Sequence, residues 1–217
     1  MLNKIKAAIF DMDGTLIDSM HVWTKIDHAF LVKRGFQVPT DLKEQIQHLT
    51  FIECARYFQT NFALTSSLEE IMAEWNEMAI DEYEYNVKLK PGAKEYLSHL
   101  KYLGIKISIA TSNSLSLIER VLKSNEIYHL FDSITTVDEV VRGKDFPDIY
   151  LLAAKKLGIP PVECLVFEDI LPAVLGAKAA GMKVIGVHDT YSDYQQEEIM
   201  KHADKYIFEF SELMDVV

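Results

Sequence analysis

Residues 5–10 read IKAAIF, and this apolar run stops abruptly in Asp11-Met12-Asp13-Gly14-Thr15. A run so short and apolar, ended by acidic residues and glycine, fits a strand buried on both faces. The same character returns at 105–110 (IKISIA), near 132–136 (DSITT), at 164–168 (CLVFE) and 183–187 (KVIGV), with a last strand expected at 205–208 (KYIF). Helical patterns separate them. Pro91-Gly92 opens one that runs to about Leu103 and is closed by Gly104. Others are expected at about 115–124 and 147–157, an alanine-rich helix at 172–180 ends at Gly181, and 193–202 is amphipathic. Apolar strands alternating with helices imply a doubly wound, Rossmann-like α/β core, a parallel sheet covered on both faces.

Residues from about 20 to 87 break that alternation and read as helix throughout. Val22, Ile26, Ala29 and Phe30 share one face at helical spacing. Thr50 with Glu53 predicts a capping box for a helix holding Ile52, Ala55, Tyr57 and Phe58. Ser67 with Glu70 predicts another, opening an apolar stripe of Leu68, Ile71, Met72, Trp75, Met78 and Ala79 that is expected to pack a core. The expected plan is a core of residues 1–16 and 89–217 with an all-helical cap domain, 17–88, inserted after the first strand.

The 217 residues suffice for a core and a small insertion, and 49% hydrophobic with 25% charged residues is an ordinary globular balance. A net charge of −11 argues against nucleic acid and anionic membranes as partners, because like charges repel. Cys54 and Cys164 form no metal-ligand spacing and fit a reducing compartment. No run approaches the roughly 18 apolar residues of a membrane span, and the N-terminus turns acidic too soon for a signal peptide. A cytoplasmic protein, a monomer or weak dimer, is expected.

In an open α/β sheet, chemistry gathers just past the carboxyl ends of the strands. There stand Asp11, Asp13, Gly14 and Thr15; then Thr111, Ser112, Asn113 and Ser114; then Lys144; then Glu168 and Asp169. Each group suits phosphoryl transfer. DMDGT at 11–15, Thr111 after its strand, Lys144 in GKDFPDIY and Glu168-Asp169 in VFEDI together resemble the motifs of the haloacid dehalogenase superfamily. AAIFDMDGTLIDS at 7–19, KPGA at 90–93, AGMKVIGV at 180–187 and ADKYI at 203–207 are similar to its β-phosphoglucomutase and phosphoglycolate phosphatase branch.

The resemblance implies a Mg²⁺-dependent phosphatase acting on a small phosphorylated metabolite. The physical chemistry is consistent with it. An aspartate attacks a phosphate monoester only when a cation masks both charges, and Mg²⁺ takes oxygen ligands. Asp11 can offer one oxygen to the metal and the other to phosphorus, giving an aspartyl-phosphate. Asp169 supplies a second carboxylate, and Glu168 a third, directly or through water. The resemblance adds the Asp13 carbonyl as a ligand and the Asp13 side chain as acid, then base. Thr111 can donate to a phosphoryl oxygen, and Lys144 can balance Asp11 and the phosphoryl charge. Ser112, Asn113 and Ser114 either contact phosphate or cap the next helix. His21, His48 and His188 show no triad logic.

The chain also departs from the family. Asp145 and Phe146 occupy places that usually hold proline and a small residue, and the extra carboxylate is expected to affect how Lys144 is oriented. Ile170 and Ala173 stand where Ser and Gly are usual. Trp23 replaces the cap histidine of the mutases, and Thr50 and Phe51 stand where their phosphate-gripping arginine is expected, with Arg56 nearby. Hydrolysis is therefore favoured over a sugar-phosphate mutase activity. A non-catalytic phospho-aspartate signalling domain is the third reading, but receiver domains lack the helical insertion. The inserted helices are expected to close over the site, with Ser19, His21 and Trp23 as substrate contacts, or with Trp23 packing the cap.

Overall fold

The computed structural model describes residues 4–46, 49 and 51–214. Its elements follow in chain order. β1 (Ala7–Phe10) and the short β2 (Ile17–Asp18) lead into α1 (Met20–Lys33), α2 (Leu42–Ile46), α3 (Phe51–Asn61) and α4 (Leu68–Asp81), which continues as one π-type stretch over Glu82–Asn86. Next come β3 (Lys88–Leu89), α5 (Ala93–Tyr102), β4 (Lys106–Thr111), α6 (Leu115–Ser124), β5 (Ser133–Thr136) and α7 (Asp148–Leu157). The chain ends in β6 (Cys164–Glu168), α8 (Leu171–Ala179), β7 (Lys183–Val187), α9 (Gln196–His202) and β8 (Lys205–Ile207).

The six longer strands form one sheet in the order β5-β4-β1-β6-β7-β8, with every pairing parallel. This is the doubly wound sheet that the alternation implied. The chain builds outward from β1 to β4 and β5, then returns to the other side for β6, β7 and β8. β1 therefore lies at the switch point, where α/β sheets open a crevice. β1 and β6 run in register, Ala7 opposite Cys164 and Phe10 opposite Phe167. Side chains alternate across a sheet, so Ala7, Ile9, Cys164 and Val166 share one buried cluster with Ile149, Tyr150, Ala153 and Ala154 of α7. On the opposite face Phe10 and Phe167 stack with centroids 4.3 Å apart, and Tyr96 and Phe210 pack against Phe167.

The chain divides into two compact units, Met1–Asp18 with Val87–Val217, and Ser19–Asn86. The short strands β2 and β3 pair antiparallel, Ile17 with Leu89 and Asp18 with Lys88, where the insertion leaves and rejoins the first unit. Two residues per strand carry no periodic signal, and this pair was not foreseen.

Within the inserted unit, Phe30, Phe58 and Trp75 pack edge to face, with ring centroids 5.0–5.9 Å apart. The capping box at Ser67 forms: the Glu70 N–H donates to the Ser67 hydroxyl, and Ser67 N–H donates to the Glu70 carboxylate. Thr50, of the other expected box, and His48 lie outside the described residues. Ile71, Trp75 and Ala79 are the fully buried part of the α4 stripe, and Leu68, Met72 and Met78 are half-buried. Ala29 and Ile52 are exposed, because the buried faces of α1 and α3 run through Val22, Ile26, Phe30 and Leu31, and through Ala55 and Phe58. Among the described residues no helix is long and apolar enough to cross a membrane. Both cysteines are free thiols.

Candidate active site

The turn after β1 forms because Gly14 adopts φ +79°, a left-handed conformation that other residues resist. Gly14 also makes room, since a Cβ there would collide with the Asp169 carboxylate. Thr15 donates its buried hydroxyl to Asp169 Oδ1 at 2.8 Å. The sheet register continues one step past β1, with the Asp11 N–H donating to the Phe167 carbonyl at 3.0 Å. Asp11 therefore stands beside Glu168 and Asp169, at the carboxyl end of the neighbouring strand. Carboxylate oxygens of these three buried residues all lie within 4.8 Å of one another.

Lys144 arrives from the loop before α7 and is itself buried. Its ammonium sits 2.5 Å from Asp11 Oδ1 and 2.5 Å from Glu168 Oε1. Burial alone would lower its pKa, but Asp11 and Glu168 outweigh that and push it up. Two features fix the loop. Arg142 grips Asp148 with two bonds, Nε to Oδ1 at 3.1 Å and a guanidinium nitrogen to Oδ2 at 2.6 Å. Gly176 of α8 lets the loop backbone pass so closely that an added Cβ would clash with the Lys144 carbonyl oxygen. Asp145 is exposed, while Lys144 turns inward onto Asp11 and Glu168. Phe146, 38% exposed, lies under the Arg142 guanidinium at 4.4 Å. Ile170 is also partly exposed, and Ala173 is buried.

At the end of β4, Asn113 links the remaining groups. Its amide nitrogen donates to Asp13 Oδ2 at 2.8 Å, and its backbone N–H donates to the Thr111 hydroxyl oxygen at 3.1 Å. Its Oδ1 accepts the Ser114 N–H at 2.7 Å, just before α6 begins. Ser114 occupies the cap position of α6 without a side-chain cap bond, and Ser112 is exposed. Ser19 and Trp23 belong to the inserted unit. There Trp23 packs edge-on against Phe51 at 5.4 Å and Tyr83 at 6.1 Å. His188 contacts the Tyr206 hydroxyl at 3.2 Å and Phe208, a packing role.

Sequence reading missed two groups. Tyr150, fully buried on α7, donates its hydroxyl to Glu168 Oε1 at 2.8 Å. Its side-chain direction follows from the period-2 alternation of β6, since Glu168 shares the parity of Cys164 and Val166, which face α7. The second is Lys90, which donates to the His188 carbonyl at 2.6 Å and to the buried Asp189 at 2.7 Å, just past β7.

Electrostatically the centre is unbalanced, with three carboxylates around one ammonium. Burial first, then Asp11, pushes the Glu168 carboxyl up to about 8 against the pull of Lys144. Burial first, then Asp11 and Glu168, raises Asp169 well above the usual carboxylate range. Glu168 Oε2 is buried and has no hydrogen-bond partner among the described residues. Hard oxygen donors, excess negative charge and an unmet buried oxygen fit a divalent cation such as Mg²⁺.

The parallel α/β core thus carries a buried acidic cluster with one lysine at the end of its switch-point strand. Residues 5–181 match the model of the haloacid dehalogenase-like hydrolases, and the chain belongs to that family. It is 34% identical over 195 residues to a probable pseudouridine-5′-phosphatase of Drosophila melanogaster, covering 87% of this chain and 84% of that protein. It is 30% identical over 190 residues to hexitol phosphatase B of Escherichia coli (strain K12), covering 85% and 84%. Among solved structures, CbbY from Rhodobacter sphaeroides in complex with phosphate superposes with a TM-score of 0.86 at 26% identity, covering 97% of this chain and 96% of that one.

Proposed function

We propose that this enzyme is a Mg²⁺-dependent phosphatase that hydrolyses a small phosphorylated metabolite, such as a sugar phosphate, through phosphorylation of Asp11. The observation that carries the reading is the buried Asp11–Lys144–Glu168 bridge beside Asp169, with one glutamate oxygen unmet. Asp11, Asp169, the Asp13 carbonyl and Glu168, directly or through water, would hold the ion. Bound there, Mg²⁺ masks phosphoryl charge from an anionic nucleophile.

Asp11 attacks phosphorus with a carboxylate oxygen, and the ester oxygen departs with a proton from Asp13. Asp13 then takes a proton from a water, whose oxygen attacks phosphorus, releases inorganic phosphate and restores Asp11. Asn113 donates to Asp13 Oδ2 and helps hold in place the carboxylate that gives and then takes a proton. The Thr111 hydroxyl, whose oxygen already accepts from Asn113, is left to donate its own proton to a phosphoryl oxygen. Lys144 balances charge that builds on the phosphoryl oxygens. Substrate choice is assigned to the inserted helices, with Ser19 and Trp23 the first positions to vary.

The names of the relatives support the class, since both act as phosphatases by name. The test is phosphate release from a panel of phosphorylated metabolites, with and without EDTA, using wild type and Asp11→Asn. Release that needs both the metal and Asp11 is expected. Interconversion of hexose phosphates without release would replace the phosphatase by a mutase. An Asp11 that stays phosphorylated without turnover would replace both by a signalling domain.

A further inference from the structure

Glu168 is wholly buried, yet its two oxygens are treated differently. Oε1 lies 2.5 Å from Lys144 Nζ and accepts the Tyr150 hydroxyl at 2.8 Å, whereas Oε2 has no hydrogen-bond partner among the described residues. A glutamate's last torsion is broad and nearly two-fold, so one donor would hold the carboxylate loosely and allow its oxygens to exchange. Two donors on one oxygen, a loop lysine and a helix tyrosine, fix the carboxylate plane. Tyr150 is itself fully buried, in the same core cluster as Ala7, Ile9, Cys164 and Val166, which confines its ring.

We infer that Tyr150 is a positioning residue for the divalent cation: by occupying Glu168 Oε1 together with Lys144, it leaves Oε2 as the oxygen presented to the ion. This inference rests on the reading that Asp11, Glu168 and Asp169 hold Mg²⁺. Hydrogen-bond partners of ligating groups set metal affinity through ligand orientation, and losing one weakens binding about 10- to 100-fold.

The experiment measures equilibrium Mg²⁺ binding by calorimetry on the full chain. It compares wild type, Tyr150→Phe, Glu168→Gln, the Tyr150→Phe/Glu168→Gln double variant and Asp169→Asn. Phe keeps the ring that fills the cluster and removes only the donor. The expected result is binding about tenfold weaker or more in Tyr150→Phe, with no further loss when the same change is made in the Glu168→Gln background. The rise in melting temperature on adding Mg²⁺ shrinks in parallel. Turnover should recover at saturating Mg²⁺, so the defect lies in half-saturation and not in kcat.

Wild-type affinity in Tyr150→Phe overturns the inference, as does an equal loss with and without Glu168. Either outcome leaves the metal reading standing so long as Asp169→Asn abolishes binding. A wild-type chain that binds no Mg²⁺ refutes the metal reading itself.

Discussion

Replacing Gly176 by alanine sets two effects of opposite sign against each other. Gly176 lies in α8 with no positive φ, so alanine is conformationally free there and would ordinarily stabilise the helix by roughly 0.5–1 kcal/mol. Its Cβ, however, would fall well inside contact with the Lys144 carbonyl oxygen, 3.0 Å from the Phe146 carbonyl oxygen and 3.1 Å from the Asp145 carbonyl carbon. These are three backbone atoms of one loop, and no flexible side-chain end is available to swing away. Restoring ordinary separations of about 3.5 Å requires the loop to retreat by roughly 1.4 Å.

Overpacking of this kind costs about 1–3 kcal/mol, more than alanine gains. The melting temperature of Gly176→Ala should fall by roughly 2–6 °C. The catalytic effect should be larger. Lys144 Nζ sits 2.5 Å from both Asp11 and Glu168, and a shift of the loop carries it off them together. A displacement of that size near the reacting groups costs about 100-fold in turnover. The assay pairs calorimetric melting with phosphate release at saturating Mg²⁺. A Gly176→Ala enzyme that melts higher than wild type and turns over normally would show that α8 does not set the position of Lys144.

Two further predictions concern pH, and a third concerns a helix end. Burial raises the Asp27 carboxyl to about 7, so its ionisation destabilises the fold increasingly from the unfolded value near 4 up to about 7. Asp27→Asn should therefore raise the melting temperature at pH 8 and leave it unchanged below about pH 4; a constant gap across that window refutes the assignment. Glu74 behaves oppositely. The Arg34 guanidinium, then Lys33, holds its carboxyl down to about 2, so its contribution is complete above about pH 4.3 and fades as pH falls towards 2. The stability gap between wild type and Glu74→Gln, followed by urea titration, should close over that range. Ser67→Ala removes the capping box of α4 and should cost about 1 kcal/mol in the same titration, with Ser67→Asp restoring most of it.

Much of the core was legible because its signals are local. The run 5–10 stops in Asp11, strands such as CLVFE are apolar on both faces, and glycines close the helices at Gly104 and Gly181. These fixed the sheet and the ends at which Asp11, Thr111, Lys144 and Glu168 emerge. What escaped depends on contacts distant in sequence. β2 and β3 are two residues each and exist only by pairing with one another. Tyr150 reads as an apolar helix residue until the parity of β6 aims Glu168 at it. Gly176 looks like an ordinary helix interior until the Lys144 loop is seen to cross it. Ala29 shares the helical stripe of Val22, Ile26 and Phe30 yet is exposed, because periodicity gives a stripe but not its centre.

The pairing of Ile17 with Leu89 and Asp18 with Lys88 brings the two ends of the insertion side by side, like the neck of a purse. The sheet is thereby insulated from whatever lies between them, because closing a longer or shorter intervening chain changes the entropy only logarithmically. A change of length within residues 19–86 therefore leaves the register of the acidic centre in place.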